Sequence, residues 1–210
     1  MNPALLALLR ENMGMPLTPE LAADIMLAAG EISPLVPLDR IGRIEPRRDG
    51  PFIFACERMA DVQGEIWPLH AAHWAETEEH RHGLPFDPDY ATFMRYERAG
   101  RYVLFTLREQ GRLVGNCAMY LDISAHTQTM IATEDTLYLL PEARQGRIAH
   151  RFVGYVEDAL QSLGAREICI TVKTVNRAER FFRMLGYRHV ENGLTKILEA
   201  QDVQLETTET

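Results

Sequence analysis

The chain has 210 residues, 46% of them hydrophobic, enough for one medium-sized packed domain and an appendage. Its formal net charge of -8 argues against a general nucleic-acid or anionic-membrane surface, because counterion release needs clustered Lys and Arg. No run approaches the ~18 consecutive apolar residues of a membrane span, and the apolar stretch 4–9 lacks a preceding basic flank, so a cytoplasmic protein is expected.

Residues 1–30 read as two short helices. In the second, Thr18 is the N-cap, Pro19 the first helical residue and Gly30 the terminator, with Leu21, Ile25 and Ala29 on one face. Between 31 and 51, prolines, glycines and arginines replace any period, which predicts an extended connection rather than an element. A strand is expected over 52–57 and a helix over 68–80. Asp87 then caps a further helix with Pro88 at its first position, Tyr90, Phe93 and Met94 facing inward, and Gly100 as terminator. A hairpin follows, 102–108 and 113–122, joined by a Glu-Gln-Gly-Arg turn. Strand 131–140 leads to helix 148–163, whose Ile148, Phe152, Val156, Leu160 and Leu163 share a stripe that must cover a sheet. Strand 167–173, helix 176–185 and a closing hairpin ending near 198 complete the order. Residues 201–210 are expected to be a mobile acidic tail. Cys56, Cys117 and Cys169 are odd in number and far apart in strand-like segments, so they read as small buried hydrophobes rather than disulfide or metal ligands.

The most informative stretch is 137–149, Leu-Tyr-Leu-Leu-Pro-Glu-Ala-Arg-Gln-Gly-Arg-Ile-Ala: an apolar strand, a proline break, and a cationic loop opening onto an amphipathic helix. Backbone N–H groups converge at such a helix tip with the positive end of the dipole, a setting suited to a pyrophosphate, and Arg144 and Arg147 reinforce the field. This stretch resembles the acyl-CoA-binding segment of the GCN5-related N-acetyltransferases (GNAT), whose loop usually runs Arg/Gln-x-x-Gly-x-Gly/Ala. Arg144, Ile148 and Ala149 match. The central glycine position holds Arg147, and Gly146 comes one residue early. A non-glycine residue in left-handed geometry would cost roughly 1–2 kcal/mol there, which predicts a reshaped loop in which the Arg147 guanidinium grips phosphate itself. A second stretch, Val-Asn-Arg-Ala-Glu-Arg-Phe-Phe-Arg-Met-Leu-Gly-Tyr over 175–187, is similar to the family's Asn-x-x-Ala-x-x-x-Tyr-x-x-x-Gly-Phe. The resemblance covers about residues 52–198, and the N-terminal half also resembles that of some virus-encoded members.

The resemblance implies an α+β acyl-CoA N-acyltransferase fold: a central mixed, mostly antiparallel twisted sheet flanked by helices, with an N-terminal helical extension. It divides the chain into a helical extension and Pro-rich connection (1–50), an acetyltransferase domain (51–200) and the tail. It implies an acetyl-CoA-dependent N-acetyltransferase, with acetyl-CoA as a substrate and an amine on a small molecule or protein as acceptor. Backbone groups at Leu139 and Leu140 would hold the pantetheine arm and polarise the thioester. Arg144, Gln145, Gly146, Arg147, Ile148 and Ala149 would hold the pyrophosphate, with His150 a turn further on and Asn176 on the pantetheine. Asp135 is the favoured base, with Glu134 beside it on the opposite face; Glu76 and Tyr90, in the helical region that borders the acceptor groove in the family, would select or deprotonate the amine. The position of the usual acidic tyrosine falls on Phe182, which has no proton to give but would still line the cofactor site. His70, His73 and Glu76 recur at a spacing of three, but the strong zinc signature uses i, i+4, and no metal is expected. A rival reading is an acetyl-CoA-binding protein with little or no catalysis that modulates a partner protein through residues 1–50. Neither reading calls for nucleic acid or membrane, and the oligomeric state is open, a homodimer included.

Overall fold

The computed structural model describes residues 3–30, 33–77, 85–176 and 178–196. Two helices, α1 (Pro3–Glu11) and α2 (Pro19–Ala29), precede the sheet. Thr18 in extended conformation accepts the Leu21 N–H, and Gly30 closes α2 at φ 82°. The stretch expected to carry no element holds two short ones, α3 (Leu38–Ile41) and β1 (Arg47–Asp49).

Six strands then form one sheet in the order β1-β2-β3-β4-β5-β6, where β2 is Phe52–Glu57, β3 Tyr102–Glu109, β4 Arg112–Ile123, β5 Met130–Leu139 and β6 Glu167–Cys169. All neighbours are antiparallel except β5 and β6, which run parallel. The β3–β4 turn places Gln110 and Gly111 at positive φ with Glu109 opposite Arg112, a two-residue connection whose twist suits the hairpin.

Both faces of the sheet are covered, so the strands read as continuous apolar runs. On one face α6 (Ile148–Leu163) buries Phe152, Val156, Leu160 and Leu163 against Phe54, Phe105, Leu107 and Met119. On the other, α4 (Met59–Thr77) and α5 (Tyr90–Arg98) pack Met59, Val62, Ile66, Leu69 and Tyr90 onto Tyr102, Leu104, Ala118 and Tyr138.

Several expectations need correction. Helix α4 begins nine residues before Pro68, which lies inside it; a proline read as a first helical residue hid the preceding turns, whose Met59, Val62 and Ile66 lie on the buried face. Residues 78–80 of the expected helix lie outside those described. Helix α5 is capped by Asp89, not Asp87, the Asp89 carboxylate accepting the Thr92 N–H at 3.1 Å. Strand β6 is three residues long instead of seven, and α7 (Ala178–Met184) is shorter than expected. No strand follows β6 among the described residues; the end of the expected closing hairpin and the tail fall beyond 196.

Candidate functional site

Strands β5 and β6 pair at Ile131–Glu167, Ala132–Ile168 and Thr133–Cys169, and then part. Directly after the last pair come Glu134 and Asp135. On the other side of β5 the register shifts there: Ala118 faces Thr136 and Met119 faces Glu134, leaving Asp135 as the extra residue of a β-bulge. A bulge bends its strand and increases the local twist, which turns β5 away from the chain after β6. Among the described residues, the remainder of β5 therefore has a strand partner on one edge only.

The two acidic side chains have different surroundings. Glu134 reaches across the parting to accept the Thr171 N–H at 3.3 Å. Burial pushes its carboxyl up to about 7, and the neighbouring Asp135 charge adds to the effect. Asp135 instead accepts a hydrogen bond of 2.9 Å from the Tyr102 hydroxyl, in the core beneath α4 and α5. Its carboxyl is also raised by burial, with the Tyr102 bond opposing the shift. Both residues keep partial access to solvent.

Strand β5 ends in a one-turn 3-10 segment (Pro141–Arg144), followed by Gln145, Gly146 and Arg147 before α6. Gly146 takes φ 64° and Arg147 has φ -109°, so the left-handed residue is the glycine and the early placement of Gly146 carries no steric penalty. Arg147 occupies the N-cap position without a side-chain cap bond, and its carbonyl accepts the first helical bond, from the Arg151 N–H at 3.0 Å. The first N–H groups of α6 thus have no acceptor within the helix. Gln145, Gly146 and Arg147 are exposed, Ile148 and Ala149 half-buried, and Arg147 makes no ion pair with any described residue. His150 is exposed on α6 and lines a shallow cavity of about 380 Å³ with Arg48, Asp49 and Arg151.

Arg144 behaves differently from Arg147. Its Nη1 and Nη2 donate to Glu76 Oε1 and Oε2 at 3.0 and 2.6 Å, its Nε donates to the Leu139 carbonyl at 2.8 Å, and its Cζ lies 5.0 Å from the Tyr138 ring centroid. The Arg144 bond holds the Glu76 carboxyl below its usual range, so Glu76 is a weak base in this arrangement. The Leu140 N–H is taken by the Val114 carbonyl at 2.8 Å. Asn176 is exposed, and its Oδ1 accepts the N–H of Ala178, the first residue of α7, at 3.0 Å. Phe182 is buried between Phe181 and Tyr187, with centroids 5.3 and 5.2 Å away. The Tyr187 hydroxyl is raised by burial and by its hydrogen bond to Glu157.

Sequence reasoning missed a buried polar chain beside the bulge. Asn116, wholly buried on β4, donates to Thr136 Oγ1 at 2.8 Å and approaches His70 Nε2 at 3.3 Å, and His70 Nδ1 meets the Tyr90 hydroxyl at 3.2 Å. Burial, with the nearby His73, lowers the His70 imidazole to about 4, so it is neutral. The helical spacing of His70 and His73 pointed to a shared face, but only the sheet register reveals Asn116 as the partner.

The acetyltransferase (GNAT) family model matches residues 66–187. A search of curated proteins gave no match. Among solved structures the chain is similar to an aminoglycoside acetyltransferase from an uncultured soil metagenomic sample, at 12% identity and TM-score 0.57 over 73% of this chain and 98% of that one. It is similar to a ribosomal-protein-alanine N-acetyltransferase from Brucella melitensis biovar Abortus 2308, at 17% identity and TM-score 0.55 over 71% and 99%. A third likeness is to glucosamine-6-phosphate N-acetyltransferase from Arabidopsis thaliana, at 11% identity and TM-score 0.55 over 70% and 99%. Identities this low speak for a shared fold, the mixed sheet flanked by helices described above. The family match does more, since it spans over half of the chain, from the middle of α4 to Tyr187, and takes in both sequence motifs and the strand pair that parts between them; the chain belongs to the GNAT family of acetyltransferases.

Proposed function

We propose that the protein is an acetyl-CoA-dependent N-acetyltransferase acting on an amine acceptor. The observation that carries this reading is the parting of β5 from β6 at Thr133 and Cys169, with a carboxyl near neutrality at the fork and an anion-suited helix tip at the far end of the same strand. The N-terminal N–H groups of α6, the exposed loop 145–147 and the Arg147 guanidinium, which makes no ion pair with a described residue, suit the diphosphate, and the edge of β5 without a described strand partner suits the amide-bearing pantetheine arm.

In the transfer, the amine lone pair attacks the thioester carbonyl carbon and the C–N bond forms; the C–S bond breaks, the thiolate leaves, and the second nitrogen proton passes through solvent to the thiolate, giving the free thiol. The acceptor must first lose its ammonium proton. Glu134 is the better-placed base, because a carboxyl poised near the working pH balances availability against driving force, and its side chain spans the fork. Asp135, anchored on Tyr102, adds negative charge beside it and keeps its affinity for a proton high. No tyrosine stands at position 182 to protonate the thiolate, and Tyr187 donates to Glu157. A thiolate whose conjugate acid has pKa about 8.5 can depart without such help, at reduced rate.

The acceptor panel follows from the relatives: an aminoglycoside, a peptide with an N-terminal alanine, and glucosamine-6-phosphate, together with simple alkylamines. Amine-dependent release of free coenzyme A thiol, rising with pH through about 7, is the expected result. Tight acetyl-CoA binding with no release above background for any amine would overturn the assignment.

A further inference from the structure

We infer that Arg144 and Glu76 form a positioning strut between the donor loop and α4, so that Glu76 strengthens diphosphate binding although it sits on another element and carries the wrong charge to touch the anion. The inference rests on the reading of residues 145–149 as the diphosphate seat.

Three nitrogens of the Arg144 fork are committed, two to the Glu76 carboxylate and one to the Leu139 carbonyl, and its plane covers the Tyr138 ring. Tyr138 is buried, and its other ring contact is His73 of α4, with centroids 5.5 Å apart. The guanidinium is thus folded back onto the end of β5, away from the loop that follows. By tying the Leu139 carbonyl to its own position five residues later, Arg144 closes the one-turn segment in which Ala143 is buried. By gripping Glu76, it fixes that closed turn to α4. The place where Gly146 and the α6 tip emerge is set by this bracket. A strut of this kind acts on the seat through geometry: the Glu76 charge is engaged by Arg144, not set against the anion.

The pair is partly exposed, with side chains 40% and 37% accessible, so the expected effect is modest, about three- to fivefold in affinity. The competing picture makes Arg144 a direct phosphate ligand that Glu76 holds back. That picture predicts that Glu76→Gln releases Arg144 and tightens binding.

Calorimetric titration with coenzyme A of the wild type, Glu76→Gln, Arg144→Gln and the double variant separates the two. A strut predicts about three- to fivefold weaker binding in each single variant and no further loss in the double, since both changes break one bracket. Hydrogen exchange at the amides of 145–149 in the ligand-free protein should be faster in all three variants. Tighter or unchanged binding in Glu76→Gln, additive losses in the double variant, or unchanged exchange would each overturn the inference. If the wild type gives no heat with coenzyme A, the diphosphate seat itself is refuted, and exchange alone then decides for or against the strut.

Discussion

Glu134→Gln should make the protein more stable and the transfer slower at the same time. The wild-type carboxyl is displaced from an ordinary value of 4.5 to about 7, chiefly because burial disfavours its charge. A displacement of that size corresponds to about 3 kcal/mol of stability that is withdrawn when the group ionises. The sign follows from the folded value lying above the unfolded one. The contribution is fully present below about 4.5, declines as pH rises, and is lost above about 7. Glutamine keeps the shape, stays neutral at every pH, and can still accept the Thr171 N–H through its amide oxygen. Removing the Glu134 charge also relieves its repulsion with Asp135. Residual solvent access and relaxation at the fork reduce the gain, so about 1–3 kcal/mol is expected at pH 8 and almost none at pH 4. Urea unfolding at pH 4, 6 and 8 measures it, and coenzyme A thiol release with the best acceptor measures the loss, which for a removed general base is about a hundred- to ten-thousand-fold. Equal or lower stability at pH 8, or activity within tenfold of wild type, would refute the reasoning.

Gly100→Ala should destabilise by about 3 kcal/mol or more in urea unfolding: the residue has φ 63°, and an added Cβ would collide with the Val36 carbonyl oxygen and come within 2.7 Å of its nitrogen, breaking the contact that holds 34–36 on the domain. The neutral His70 works in the opposite pH sense from Glu134. Its folded value near 4 lies below the unfolded 6.5, so its contribution is present above 6.5 and lost as pH falls toward 4; in His70→Gln the stability lost between pH 6.5 and 4.5 should shrink by about 2 kcal/mol, and an unchanged loss would refute the assignment.

How much the sequence disclosed depends on the range of the interaction. Helix α2 with its Thr18 cap and Gly30 stop, helix α6 with its apolar stripe, and the β3–β4 hairpin around Gln110 and Gly111 are encoded within a few residues, and each was legible. The glycine shift in the loop before α6 was also visible, but its meaning was not, because only the backbone dihedrals show that Gly146 rather than Arg147 takes the left-handed position. The alternation of Ile168, Ile170 and Val172 resembled a long strand. The chain after Cys169 nevertheless leaves the ladder, because the bulge at Asp135 turns β5 away, and a bulge has no periodic signature. Arg144 and Glu76 are 68 positions apart, and Asn116 and His70 are 46 apart, so neither pair leaves a local trace. Their partnership changes the reading of single residues: Glu76 moves from a basic group to a bracket, and Arg144 from a free cation to its other arm.

The central claim is that the loop before α6 seats the diphosphate of acetyl-CoA. Calorimetric titration of the wild type and of Arg147→Gln with acetyl-CoA tests it most directly. One-to-one binding, weakened about tenfold by loss of the Arg147 guanidinium, is the predicted result. The absence of binding heat in the wild type, or equal affinity in both proteins, would contradict it.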